Sequence, residues 1–267
     1  MATTIHESVP GWLGGGRYDG QLWCLNQKIQ PVPEWVQNLI ATRSAHYNLN
    51  RQELYVEIQK SRRWRNIQAH WRREESYRVG PGGYFFLRAR GYLAEVVMMD
   101  FLSNIPKLHC GQEVTEEFFR NHPLLSGEHR MIDPVTGGVC VFNPQTNKCA
   151  SEIDGLIMMG SKRKRAETPI VVEVKTGKAK NIIRDLFYGE GTNQTLSDQR
   201  LSLLSSTLYK SSTLHIVVAV PQNQIERIRK HQMVKEAEES GILFVSLPLS
   251  EEELESFIRE ALNCTQV

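Results

Sequence analysis

From residue 151 onward the chain alternates short apolar runs with polar, helix-like stretches, and that alternation limits the folds open to it more than any other feature. "SEIDGLIMM", "IVVEVKTG", "TLHIVVAVP" and "ILFVSLPL" are rich in β-branched and aliphatic residues and have the length of strands. Three helix-like stretches separate or follow them. "TLSDQRLSLLSSTLY" carries Leu201, Leu204 and Leu208, "QNQIERIRKHQMVKEAEES" is largely polar, and "SEEELESFIREALN" opens on Ser250 with Glu253 three residues later, a capping box. Strands alternating with helices predict an α/β domain whose mixed sheet is covered by helices.

Upstream the texture is helical. Pro31 and Pro33 introduce "PEWVQNLIATR", a short helix with proline at its first turn. Asn50, with Glu53 three residues on, caps a stretch that reaches into the mid-seventies. Leu54, Ile58, Trp64, Ile67 and Trp71 recur along it at helical spacing, with a break near residue 60. "GPGG" at 80–83 interrupts the pattern, and Leu87, Gly91, Ala94, Met98 and Phe101 then predict a helix over 84–104. The next forty residues read as turns and short strands, "VCVF" at 139–142 being the clearest. The chain thus divides into a helical, Arg- and Trp-rich accessory region over 1–80 and an α/β domain over 84–267.

No apolar run approaches the ~18 residues of a membrane span, and the N-terminal residues lack the basic and apolar segments of a secretion signal. The five cysteines are odd in number and never form CxxC, so a reduced, cytoplasmic protein is expected. "GGGRYDG" at 14–20 lacks the Gly-Lys-Ser/Thr ending of a phosphate loop and follows no strand.

Glu173 and Lys175 interrupt the apolar strand "IVVEVKTG" one residue apart. Side chains along a strand repeat every two residues, so both project from one face, about 7 Å apart. Burying both charges costs several kcal/mol without compensation. An exposed strand end with a weak ion pair would explain them, but Val171 shares their face and implies burial. Asp154 interrupts the preceding strand, and antiparallel pairing through a short turn brings it beside Glu173. The plainer reading of Asp154 is a turn cap before Gly155. Two carboxylates that close repel unless a cation lies between them. Hard oxygen donors suit Mg²⁺ or Mn²⁺. A metal polarises a phosphoryl oxygen and acidifies water, and Lys175 would orient or help deprotonate that water, or stabilise developing charge.

An Asp in one strand, Glu-x-Lys in the next and a preceding helix with a Glu resembles the PD-(D/E)XK nuclease superfamily, which includes restriction endonucleases and junction resolvases. The matching residues are Asp154 in "EIDGLIM", Glu173 and Lys175 in "VVEVKTG", and Glu95 in "GYLAEVVMMDFL". Ile153 stands where the family's nominal Pro precedes the Asp, and the likeness covers about half the chain, 84–220. The resemblance implies a restriction-endonuclease-like mixed sheet flanked by helices. It implies Asp154, Glu173 and Glu95 as metal ligands, Lys175 as the catalytic lysine, and Mg²⁺ as cofactor with Mn²⁺ able to substitute. It further implies hydrolysis of DNA phosphodiesters to 5′-phosphates. An intact constellation with an appended basic region points to a sequence-specific enzyme of type II restriction kind, acting as a homodimer on double-stranded DNA. Glu152 is a substitute for Asp154 on the same strand face, and Gln199, in the following helix, is a candidate phosphate or water contact.

Two basic clusters support a nucleic-acid partner. Residues 60–90 hold nine Lys or Arg against two Glu, a local charge of +7. Arg62, Arg63, Arg65, Arg72 and Arg73 there interleave with Trp64 and Trp71, which read as core anchors. Guanidinium forks suit phosphates and guanine edges, although a solvated helix face has the same composition. Lys162, Arg163, Lys164 and Arg165 fall in the turn between the two carboxylate-bearing strands, able to meet the backbone near a scissile phosphate or simply to keep a hairpin soluble. Within the enzyme class the competing expectation is a structure-specific or DNA-repair nuclease. Outside it is a non-catalytic nucleic-acid-binding protein whose carboxylates are structural.

Overall fold

The computed structural model describes residues 29–75, 83–110, 129–142, 149–159, 168–187 and 215–263. The glycine-rich 14–20, the 162–165 turn, Gln199 and the helix expected over 195–209 lie outside these residues.

The helices of the N-terminal half form as their sequence signals require. Helix α1 (Glu34–Ser44) starts after Pro33, which occupies the N-cap position. In α2 (Arg51–Ile58) the Asn50 side chain accepts the Glu53 N–H, and its amide donates to the Glu53 carboxylate at 2.9 Å. The break near residue 60 is a turn, after which α3 spans Arg62–Glu75. Helix α4 (Tyr84–Ser103) is apolar on nearly every side, with Phe86, Ala89 and most residues from Tyr92 to Leu102 buried. A helix apolar all round must be enclosed, and α4 is. Trp64, Ile67, Val36, Ile40 and Leu54 belong to the same core as α4, so the accessory helices share its hydrophobic interior.

Strands β1 (Leu108–Cys110), β5 (Gly155–Met159), β6 (Thr168–Val174), β7 (His215–Val220) and β8 (Leu243–Ser246) form one sheet in the order β1-β5-β6-β7-β8. Pairing is antiparallel through β1, β5 and β6 and parallel from β6 to β8, so the sheet is mixed. A second, three-stranded antiparallel sheet contains β2 (His129–Asp133), β3 (Gly138–Phe142) and β4 (Cys149–Ile153). Side-chain alternation divides the core in two. Ile170, Val172, Val174, Val217 and Ala219 face α4 and the C-terminal helix α8 (Glu251–Asn263), with Leu254, Phe257 and Ile258 opposite them. Val171, Ile216, Val218 and Phe244 face α5 (Ala179–Phe187), α6 (Gln222–Ile228) and α7 (Gln232–Glu239). The result is a helix–sheet–helix α/β fold. Among the described residues no helix is long and apolar enough to cross a membrane.

Three expectations need correction. "SEIDGLIMM" is not one strand: it breaks at Asp154, and β4 and β5 join different sheets. The cause is local. Asp154 turns its carboxylate to the Val174 N–H, and Gly155 packs so tightly that an added Cβ would stand 2.3 Å from Met99 Sδ. The polar helix over 222–240 is two helices, because His231 adopts an extended backbone and starts α7 afresh. Helix α7 ends in a Schellman-type turn at Gly241, whose φ of +97° favours glycine, with the Ile242 N–H returning to the Ala237 carbonyl. Helix α5 was not expected at all. Its Ile182 and Leu186, four residues apart, are buried against the sheet. Ser250 and Glu253 do exchange the two hydrogen bonds of a capping box, at 2.8 and 3.2 Å.

On the outer side of α4, Tyr47 packs edge-on against Phe101 and donates to the Asp100 carboxylate at 2.6 Å. Burial raises the Asp100 pKa, the Tyr47 bond lowers it, and the charge of Glu53 raises it again, with a net upward shift. A carboxyl raised in the folded state contributes stability below its unfolded pKa and loses it as pH climbs through the folded value. Asp100→Asn is therefore expected to gain stability relative to wild type as pH rises above about 4, the ordinary Asp value. Urea midpoints of both proteins below and above that pH check the sign.

Candidate active site

The two carboxylate-bearing segments meet where β5 and β6 part. Gly155 pairs with Val172, so Asp154 falls opposite Glu173 in the continuing antiparallel register. Asp154 Oδ2 accepts the Val174 N–H at 2.7 Å, which fixes the carboxylate across the strand end. Glu173 shares the pleat face of Val171 and is 2% exposed. Lys175 lies one residue beyond β6, yet its N–H still reaches the Ala219 carbonyl at 2.9 Å, so the parallel ladder with β7 holds its backbone. Its ammonium is hydrogen-bonded to Glu173 Oε1, and its side chain is 23% exposed.

Burial would push the Lys175 pKa down. The attraction of Glu173, then of Asp154, the hydrogen bond to Glu173 and the charge of Glu95 outweigh it, and the net shift is upward. Lys175 is thus held as an ammonium. A charged ammonium so placed can stabilise negative charge and has no lone pair with which to act as a base.

Glu95 approaches from α4 and is 5% exposed. Both of its oxygens engage the Arg63 guanidinium, at 2.7 and 3.0 Å, in a bidentate fork. Arg63 belongs to the basic helix α3, but its side chain turns inward over the Tyr92 ring, 5.3 Å from the centroid. Of the arginines assigned to nucleic acid, Arg62, Arg65, Arg72 and Arg73 are exposed, whereas Arg63 is half-buried and paired with Glu95. Trp64 and Ile67 on the same helix are buried, as core anchors should be.

Among the described residues no three His, Cys, Asp or Glu side chains are grouped as a ready metal site. The donor chemistry nevertheless suits a hard divalent cation: Asp154 and Glu173 supply carboxylate oxygens at the end of the β5–β6 pairing, each one residue beyond the Gly155–Val172 pair. Glu95 is committed to Arg63 and does not reach them as a ligand in this state. Three carboxylates face two cationic side chains here, a formal excess of one negative charge. Glu152 pairs with Cys140 in the three-stranded sheet, on β4, two strands before β6 in the chain and in a different sheet.

A buried polar network beside the site had no place in the sequence reading. Asp133, fully buried, accepts the Ser61 hydroxyl, the Val135 N–H at 2.9 Å, the Thr136 N–H at 3.3 Å and the Tyr92 hydroxyl at 3.4 Å. Ser61 Oγ in turn accepts the Trp64 N–H at 3.1 Å, capping α3. Burial first, then the charge of Asp133, raises the Tyr92 pKa, so the phenol remains a neutral donor. The β2–β3 turn that Asp133 anchors abuts the site: a Cβ on Gly138 would lie 3.3 Å from the Asp154 carbonyl oxygen. "DPVTGG" advertises the turn through Asp-Pro and Gly-Gly. Nothing local reveals Ser61 and Tyr92 as its partners, from 72 and 41 residues away.

Comparison with known proteins returns no match to a family model, to a curated protein or to a solved structure.

Proposed function

We propose that the protein is a Mg²⁺-dependent nuclease of the PD-(D/E)XK kind, with a restriction-endonuclease-like core that hydrolyses DNA phosphodiesters to 5′-phosphates. The observation that carries the reading is the meeting of Asp154, Glu173 and the charged Lys175 at the ends of two paired strands. Bound between Asp154 and Glu173, the cation would polarise a phosphoryl oxygen and acidify a water. The protein's own part is positional and electrostatic. The Val174 N–H fixes Asp154, and Lys175 places a positive charge where the phosphorus centre gains negative charge. The exposed Arg62, Arg65, Arg72 and Arg73 give α3 the charge density that a duplex backbone requires. By the same reading Lys162, Arg163, Lys164 and Arg165 meet the phosphates near the cut, and the enzyme works as a cytoplasmic homodimer with sequence-specific, restriction-type cleavage.

One observation favours a second reading, a nucleic-acid-binding protein without catalysis: Glu95 and Glu173 already have internal cationic partners. A digest separates the two. Purified protein is incubated with supercoiled plasmid, branched and linear DNA, in Mg²⁺ or in EDTA. Discrete, reproducible plasmid fragments only with Mg²⁺ are expected. Cleavage confined to branches or ends reassigns it to structure-specific repair, and DNA binding without Mg²⁺-dependent cleavage overturns the nuclease.

A further inference from the structure

Between the end of α1, the connector to α2 and the end of α4 lies a cavity of about 530 Å³, within the size range of small-molecule sites. None of the residues lining it belongs to the Asp154–Glu173–Lys175 site. The half-buried Tyr47 and the buried Phe101 give it an apolar inner wall. Its charged groups are two carboxylates, Asp100 and Glu53, and one guanidinium, Arg43, with the imidazole of His46 beside them. Arg43 does not pair with Asp100: it donates to the Asn104 carbonyl at 2.8 Å. The partner of Asp100 is a neutral phenol, Tyr47, which bonds Oδ2 at 2.6 Å and leaves Oδ1 without a protein donor among the described residues. Glu53 likewise has a neutral partner, the Asn50 amide at 2.9 Å. Burial and the nearby charge of Glu53 make ionised Asp100 a cost to the fold at neutral pH. A carboxylate that costs stability, lines a cavity and has no cationic partner has the marks of a ligand-binding group.

We propose that this cavity binds a small organic cation through a primary ammonium group, which donates to Asp100 Oδ1 within the field of Glu53. Its carbon chain rests against Tyr47 and Phe101, a surface that a hydrated metal ion would not use. The type of cation follows from the carboxylate. With Oδ2 taken by the phenol, Asp100 offers one open oxygen, which meets the point charge of an ammonium better than the two-pronged guanidinium fork. The amides of Asn48, Asn50 and Asn104 provide polar contacts that fix the ligand's orientation. The site is separate in its residues from the carboxylates of β5 and β6, and it stands whether or not the protein is a nuclease.

Calorimetric titration of the full chain tests the assignment, with n-butylammonium and phenethylammonium as probes and n-butanol and phenethyl alcohol as their neutral counterparts. Both ammonium probes are expected to bind saturably and both alcohols at least tenfold more weakly, because a hydrogen bond to a charged group is lost. Asp100→Asn, which the pH argument above expects to fold at least as well as wild type, is expected to weaken the ammonium probes by about tenfold or more. Glu53→Gln, at an exposed carboxylate, is expected to weaken them by about two- to fivefold. Asp154→Asn, at the other pair of carboxylates, is expected to leave their binding unchanged. Three results overturn the proposal: no saturation by either ammonium probe up to about 10 mM, weak even for ligands of this size; alcohols that bind as well as the amines; or Asp100→Asn within twofold of wild type. Release of the bound probe by an equal concentration of Mg²⁺ also overturns it, in favour of a metal site. No arm involves DNA or cleavage, so failure here leaves the nuclease reading intact, and failure of the digest leaves this site intact.

Discussion

Lys175→Ala is expected to cut Mg²⁺-dependent cleavage by about 10²–10³-fold, the usual loss when one preorganised stabiliser of developing charge is removed. The expectation rests on the raised pKa of Lys175, which keeps its charge fixed beside Glu173 and Asp154. The same substitution removes the ammonium bonded to Glu173, a carboxylate 2% exposed. Breaking a buried pair on one side costs about 3–5 kcal/mol. The two effects can be told apart, because a cation at Asp154 and Glu173 would neutralise the Glu173 charge. Urea unfolding should therefore show a large loss of stability in EDTA and a smaller one in Mg²⁺, while activity stays low in both. A variant within tenfold of wild-type activity in Mg²⁺ would remove Lys175 from the chemistry. Equal destabilisation in EDTA and Mg²⁺ would remove the cation from Glu173.

The second large effect is structural. Asp133→Ala is expected to destabilise the protein by about 3–5 kcal/mol, because it leaves the buried Ser61 and Tyr92 hydroxyls and the Val135 and Thr136 N–H groups without their acceptor. Each such group pays the desolvation penalty unaided. Asp133→Asn keeps one oxygen and should lose less than half as much. Since this network ties α3 to the turn beside Asp154, cleavage is expected to fail on warming at a lower temperature in Asp133→Ala than in wild type. Chemical denaturation of the two variants against wild type provides the measurement, and a loss under about 1 kcal/mol would mean that the network contributes little.

The features read correctly from the sequence are those with local causes. Asn50 with Glu53 and Ser250 with Glu253 are caps whose partners lie three residues apart, and both form. The strand around Glu173 announces itself through Ile170, Val171 and Val172, each buried as a two-sided run requires. The antiparallel pairing of Gly155 with Val172, which brings Asp154 to the end of the Glu173 strand, follows from two apolar runs joined by a short turn, so it too was legible. What escaped depends on distant residues. The split at Asp154 arises because Gly155 meets Met99 of α4, 56 residues earlier in the chain, and no window of sequence contains both. Arg63 read as one more phosphate contact in a basic run, and only the packing of α3 on α4 turns it toward Glu95. Helix α5 was missed for a different reason: Ile182, Ile183 and Leu186 do show helical spacing, but the Glu-x-Lys motif just before them took precedence.

The central claim is that Asp154 and Glu173 share one divalent cation beside Lys175. Anomalous diffraction from crystals equilibrated with Mn²⁺ and a DNA duplex tests it in a single data set. The account predicts one peak in contact with oxygens of both carboxylates, with the Lys175 ammonium drawn away from Glu173. Lys175 still bonded to Glu173, with no peak within coordination distance of either carboxylate, would contradict it.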